Sequence, residues 1–293
     1  MDKTIDLTFS NLAERDRQYN ARASVADFEY CVRQYAELSD IARRSCVGSY
    51  DLQYGLANSE RLDIFPVNRS VALAPALIFI HGGYWRSQTK ENSALMAQVY
   101  TDAGVAVVTL EYPLLPRVTL AETVRSVRSA VAWLHTNAAA YGIDPRQMFA
   151  SGSSAGGHLM GMLLAPGWQA DYGLPEDVVR GGVGLSGLYD IRPLCDTHVN
   201  EWLRLYPDQA ERLSPYFQLP NLSLPLVLAV GGLETEGFRN QTDAYERAWR
   251  AKGYPVTRVQ ANDRNHFNLL CDMADPKSAL NHATLSMIFG ESS

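Results

Sequence analysis

From Ala76 onward the apolar residues fall in short blocks: "ALIFI" (76–80), "VAVVTL" (105–110), "QMFA" (147–150), "GVGLS" (182–186), "LPLVLAV" (224–230) and "VTRVQ" (256–260). Most are continuous rather than alternating and are bounded by Gly or Pro, the pattern of strands buried on both faces. Between them the spacing changes to a helical period, clearest over 119–140 and 238–252. Strands alternating with helices predict an α/β fold, a mainly parallel sheet with helices on both faces. Upstream, "YDLQYG" (50–55) and "ERLDIFP" (60–66) read as two more short strands. Val25, Phe28, Val32, Tyr35, Leu38 and Ile41 recur at threes and fours, which predicts amphipathic helix within residues 10–45.

Length and charge narrow the classes of function. A chain of 293 residues is at the upper end for a single hydrophobic core, so one large domain with an appendage is expected. The expected division is an N-terminal helical cap segment, 1–45, over a catalytic domain, 46–293. Apolar content of 46% and charged content of 20% are those of a globular protein in water. A net charge of −6 with no basic stripe excludes a nucleic-acid partner. No run of about eighteen apolar residues predicts a membrane span. The charged N-terminus has no apolar signal core, so a cytoplasmic location is expected. Cys31, Cys46, Cys195 and Cys271 are scattered without metal-ligand spacing and read as free, mostly buried thiols. No metal, nucleotide loop or other cofactor is expected, and a homodimer stays open.

In a parallel sheet ligands bind beyond the carboxyl ends of the strands, so chemistry belongs in the residues just after each apolar run. After "QMFA" comes "SGSSAGGH" (151–158), and then a buried-looking helix, "LMGMLLA". A G-x-S-x-G between strand and helix is a nucleophile elbow, whose glycines remove the Cβ atoms that so tight a turn forbids. Only Ser154 has glycine at both −2 and +2 (Gly152 and Gly156). Ser151 then ends the strand. After "ALIFI" comes "HGGYWRS" (81–87). Acyl transfer needs donors for the oxyanion of its tetrahedral intermediate: the N–H of the residue after the nucleophile, here Ala155, and an N–H from an earlier loop. Gly82 and Gly83 are placed for that second donor, with Tyr84 beside them. Tyr84 and Trp85 are candidates for an aromatic wall of the pocket. Either motif alone would also suit an ordinary glycine-rich turn; together, after adjacent strands, they point to a serine hydrolase.

Such a serine needs a base and an orienting acid, in the chain order Ser, Asp/Glu, His. Of six histidines, only His266, in "ANDRNHFNLL", lies in a loop after a late strand. His135 and His282 fall in helical stretches, His198 in the irregular 190–215 segment, and His158 on the elbow helix near the site. "GGLETEGF" after the penultimate strand offers Glu234 and Glu236; Glu234 is nearer the strand end and is the favoured acid. Asp263 and Asp190 are further alternatives. The substrate is a small-molecule amide or ester.

With these residues in place the chain resembles the α/β-hydrolases, and within them the arylformamidase (kynurenine formamidase) branch related to hormone-sensitive-lipase-type esterases. The resemblance rests on "HGGYWRS" where those esterases have HGGG, "GSSAGGHL" where the branch has GHSAGAHL, "GLYDIRPL", "LSP" (213–215), "GGLETEGFRNQ" and "NHF". "YNARASVADF" and "YGLANSERLDIFP" extend it over nearly the whole chain. It implies cleavage of an aryl formamide such as N-formylkynurenine through an acyl-enzyme, with a short-chain or aryl carboxylesterase, or another amidase, as the alternative. In that branch the acid precedes the Phe of EFxxQ by four residues; counting back from Phe238 gives Glu234. Two positions depart from the pattern. The acid is Glu rather than Asp, and Ser153 stands where the branch has His, which alters the pocket wall.

Overall fold

Each apolar block read from the sequence is a strand, and all of them join one sheet. A computed structural model describes Phe9, residues 11–68 and residues 73–290. Its strands are β1 (Ser49–Gln53), β2 (Arg61–Phe65), β3 (Ala74–Ile80), β4 (Ala106–Leu110), β5 (Ile143–Ser153), β6 (Gly182–Leu185), β7 (Leu226–Gly231) and β8 (Val256–Ala261). Their order across the sheet is 1-2-4-3-5-6-7-8. From β4 to β8 every pair is parallel, while β2 runs antiparallel to β4 and β1 antiparallel to β2. The parallel strands β4, β6 and β7 are buried at every position, as continuous apolar runs require when helices cover both faces. This is the α/β-hydrolase architecture.

The helices are α1 (Leu12–Gln18), α2 (Phe28–Ser45), α3 (Ala97–Asp102), α4 (Leu120–Asn137) and α5 (Ala155–Leu164), then α6 (Trp168–Asp171), α7 (Asn200–Leu203), α8 (Pro207–Arg212), α9 (Glu236–Ala251) and α10 (Ala279–Phe289). A capping box starts α4: Thr119 Oγ1 accepts from the Glu122 amide at 3.3 Å, and the Glu122 carboxylate accepts from the Thr119 amide at 2.7 Å. Every residue of α5 is buried, because the helix is apolar all round and packs against both β5 and β6. None of the described helices is long and apolar enough to cross a membrane.

Two expectations change. The strand expected over 147–150 runs from Ile143 through Ser153, so it does not end at Ser151. Ser151 pairs with Phe79 and Val183, and Gly152 with Ile80 and Gly184; a strand flanked on both sides keeps its ladder through residues of low β-propensity. The helical period of the first 45 residues lies in α2 from Phe28 to Ile41, without Val25 and not on one buried face. Asp27 caps α2 by accepting from the Tyr30 amide at 2.8 Å, which leaves Val25 outside the helix. The buried stripe is Cys31, Tyr35, Ser39 and Ala42. Ile41 lies well round from that stripe and is 54% exposed. Phe28, Val32 and Tyr35 instead face a cavity at the carboxyl ends of the strands. Those ends carry the glycine loop after β3, Ser154 after β5, Glu234 after β7 and His266 after β8.

Candidate active site

Ser154 sits at the turn from β5 into α5 with φ 57° and ψ −118°, a left-handed backbone that a serine adopts only when its surroundings hold it there. Its amide donates to Leu185 O at 2.8 Å, and its carbonyl accepts from the His158 amide at 3.1 Å. The flanking glycines are there for space. A Cβ on Gly152 would stand 2.2 Å from Gly156 O, and one on Gly156 would stand 2.0 Å from Ile80 O. Both contacts are with backbone, which cannot step aside.

The loop after β3 lies against this turn. A Cβ on Gly82 would come 2.9 Å from Ser153 O and 3.3 Å from Ser154 Cβ. Gly83, Tyr84 and Trp85 follow with φ of 91°, 49° and 57°. Three successive left-handed residues need an external frame, and several contacts supply it. Tyr112 Oη donates to His81 O at 3.0 Å and lies 3.2 Å from Gly82 O, with its ring stacked on the His81 imidazole at 4.2 Å. His81 Nε2 is 3.2 Å from the Glu111 carboxylate, whose other oxygen accepts from the Lys90 amide at 3.1 Å. Trp202 Nε1 donates to Tyr84 O at 3.0 Å, and the Leu115 amide donates to Trp85 O at 2.8 Å. Among the described residues, the amides of Gly83 and Ala155 meet no protein acceptor. They are therefore available to a developing oxyanion.

His266 Nδ1 is 2.7 Å from Glu234 Oε2. Glu234 is buried, and its other oxygen accepts from Ser186 Oγ at 2.5 Å and from the Gly231 amide at 2.7 Å. A buried carboxylate with these partners holds the Nδ1–H tautomer of His266 and leaves Nε2 as the free ring nitrogen. The His266 ring packs on Phe238, with centroids 4.3 Å apart. Asn265 shapes the loop by accepting from the amides of Phe267 and Asn268, both at 2.9 Å, and Tyr35 Oη of α2 donates to Phe267 O. The other acids considered contact different groups. Asp190 pairs with Arg192 at 2.8 Å, Asp263 is 80% exposed beside Arg264, and Glu236 is an exposed first residue of α9.

Ser154 and His266 line one cavity of about 800 Å³, together with Gly82, Gly83, Tyr84 and Ser153. The N-terminal segment also lines it, through Asn20, Ala21, Phe28 and Tyr35. Among the described residues no group of three or more His, Cys, Asp or Glu could hold a metal ion, and the four cysteines are free, but only Cys31 is buried while Cys46, Cys195 and Cys271 are partly exposed.

Of the two aromatic candidates, Tyr84 lines the cavity and Trp85 does not. Both Trp85 and His158, expected at the pocket, are buried and line no part of this cavity. The left-handed turn points the indole into the core, where Trp85 Nε1 donates to His158 Nδ1 at 3.3 Å. His158 Nε2 in turn donates to Leu213 O at 2.6 Å. This chain needs a neutral imidazole, and burial pushes the His158 pKa down to about 4. In the unfolded chain the group titrates near 6.5, so that state binds the proton first as pH falls. The stability this supplies is complete above pH 6.5 and is lost as pH drops toward 4. Between pH 7.5 and 4.5 the loss is about 2–3 kcal/mol. Urea melts should show His158→Asn, whose side chain does not titrate, losing that much less stability across the same interval. Parallel pH curves for the two proteins would contradict the assignment.

Ser186, Tyr112, Trp202 and the pair of His198 Nδ1 with Asp16 at 2.6 Å escaped the sequence reading. Ser186 had a signal, since it closes the apolar run of β6 and so lies where chemistry was sought. The others act through contacts between distant segments.

Comparison with known proteins places these features in context. Residues 62–169 match the BD-FAE family model. The chain is 30% identical over 279 residues to the kynurenine formamidase of Salmo salar, covering 92% of each chain. Its structure superposes with a TM-score of 0.78 on a crystal structure of a candidate thioesterase from Silicibacter sp. tm1040, at 28% identity and covering 94% of this chain and 98% of that one. An esterase from Pyrobaculum calidifontis, 18% identical, shares the fold with a TM-score of 0.70 over 92% of this chain and 96% of the other.

Proposed function

Since the chain belongs to the kynurenine formamidase branch of the α/β-hydrolases and is a hydrolase acting on formamide or ester bonds, we propose that it releases formate from an aryl formamide such as N-formylkynurenine. The observation that carries this reading is that Ser154, on its left-handed turn, and His266, bound through Nδ1 to Glu234, line the same cavity. His266 Nε2 takes the Ser154 hydroxyl proton as Oγ attacks the formyl carbon. The oxyanion that forms is met by the amides of Ala155 and of the Gly82–Gly83 turn. His266, now an imidazolium stabilised by Glu234, gives its proton to the anilide nitrogen, the C–N bond breaks, and the aryl amine leaves. Water then loses a proton to His266 and attacks the formyl-serine ester, releasing formate and restoring Ser154. An aryl amine leaves more readily than an alkyl amine, because its nitrogen lone pair is delocalised into the ring.

In this reading the cap is the described part of residues 1–45 and the catalytic domain that of 46–293, with residues 1–8, 10, 69–72 and 291–293 outside the described residues. The cap reading is supported by Asn20, Ala21, Phe28, Val32 and Tyr35, which all border the cavity from the N-terminal side. Ser153, standing where the branch has histidine, leaves a smaller and weaker hydrogen-bonding group beside the nucleophile.

The test compares N-formylkynurenine with p-nitrophenyl acetate, following formate and nitrophenolate release. A formamidase is expected to favour the formamide in kcat/KM by at least about tenfold, even though the ester is intrinsically more reactive. Turnover of the ester alone would assign a carboxylesterase instead.

A further inference from the structure

The cavity is far larger than a formyl group needs, so the rest of its lining must act on the leaving group. Its arginine and carboxylate side chains are Arg22, Arg86 and Glu201. Arg22 is paired with Glu29 at 2.9 Å, and the titratable His198 is paired with Asp16 at 2.6 Å. Among the described residues, Arg86 and Glu201 have no ion-pair partner, in each other or elsewhere. The cavity therefore presents one cation and one anion of its own that the protein leaves uncompensated.

Their mounting is specific. Arg86 lies three residues beyond Gly83 on the glycine loop, and its guanidinium carbon sits 4.2 Å from the centroid of the Trp202 ring. That ring is itself fixed, by the Nε1 bond to Tyr84 O at 3.0 Å and by edge contact with His198, centroids 5.8 Å apart. A cation held over a fixed ring loses less freedom when it binds an anion, and a guanidinium offers a carboxylate two parallel N–H donors. Glu201 precedes Trp202 in α7 and lines the same cavity, so the acidic group and the platform that holds the basic one border one space.

We infer that Arg86 and Glu201 form the subsite for a zwitterionic α-amino acid headgroup, the carboxylate bound by Arg86 and the ammonium by Glu201. This rests on the formamidase reading and deepens it: the leaving group is an aryl amine that carries an amino acid. A neutral aryl formamide or ester would leave both charges without a partner.

The experiment measures kcat and KM for N-formylkynurenine and for formanilide, which lacks the headgroup, with wild type, Arg86→Gln and Glu201→Gln. Both positions are exposed, so the variants should fold. Each variant should lower the preference for N-formylkynurenine over formanilide by about tenfold, the usual scale for a charge-assisted hydrogen bond near solvent, with the change carried by KM. Acetylating the substrate α-amine should abolish the Glu201→Gln effect and leave the Arg86→Gln effect. An unchanged preference, or an equal loss on both substrates, overturns the subsite. If wild type turns over neither formamide, the formamidase reading fails. The subsite is then decided separately by the same ratio for O-acetyltyrosine against phenyl acetate.

Discussion

Ser154→Ala is expected to lower kcat on the preferred substrate by about 10⁵–10⁶-fold while leaving the protein folded. The size follows from the role proposed for the hydroxyl. Without it no acyl-enzyme forms, and the remaining rate comes from the oxyanion donors and from substrate binding. The fold should survive, because the turn is held by backbone: the Ser154 amide on Leu185 O, its carbonyl under the His158 amide, and the close contacts at Gly152 and Gly156. A fluorophosphonate probe gives an independent measurement. Wild type should gain one phosphonyl adduct on the peptide carrying residues 151–158, mapped to Ser154, and Ser154→Ala should gain none. Ser153→Ala should still label, since Ser153 lines the cavity without holding the serine position between the two glycines, and its effect should fall within about tenfold. An adduct on Ser151 or Ser153, or near-normal turnover by Ser154→Ala, would sink the nucleophile assignment.

What could be read from the sequence is what depends on short-range pattern. Strands β3, β4, β6 and β7 were legible because a strand buried on both faces must be apolar at nearly every position, whereas the edge strand β8 is half exposed and shows only through its place after a helix. The Ser154 register was legible because the close approach of Gly152 and Gly156 to other backbone admits no Cβ. The contact of Glu234 with His266 was legible through chain order together with the place of Glu234 nearest the end of its strand and its spacing from Phe238, and it is made because β7 and β8 are adjacent parallel strands whose ends lie side by side. The failures share a cause. Trp85 sits beside the glycine loop in sequence, yet φ of 57° turns its ring inward, and only the position of His158 on another element supplies its acceptor. Ile41 fitted a helical period, but the surface that α2 packs against selects Ser39 and Ala42. Direction across a turn, and the rotation of a helix about its axis, are settled by partners far away in the chain.

Glu234→Gln should reduce kcat by about 10⁴-fold with little change in KM, the loss expected when the orienting carboxylate of a serine–histidine pair becomes an amide. The substitution is nearly isosteric. The amide oxygen can still accept from Ser186 Oγ and the Gly231 amide, the two bonds that hold Glu234 Oε1 at 2.5 Å and 2.7 Å. That places the NH₂ group where Oε2 now faces His266 Nδ1 at 2.7 Å. A donor there makes Nδ1 an acceptor and moves the imidazole proton to Nε2, the nitrogen that must be free to take the proton from Ser154. The variant also lacks the negative charge that stabilises the imidazolium. Folding stability should change little, because the hydrogen bonds are kept and a buried charge is removed. Glu234→Asp separates charge from reach: it keeps the anion but withdraws it by one methylene, so it should lose less than Glu234→Gln. Glu236→Gln and Asp263→Asn, at positions that do not touch His266, should stay within about twofold of wild type. If Glu236→Gln or Asp263→Asn instead matched the loss at Glu234→Gln, the acid would have to be reassigned, because no tautomer argument connects those exposed carboxylates to Nδ1.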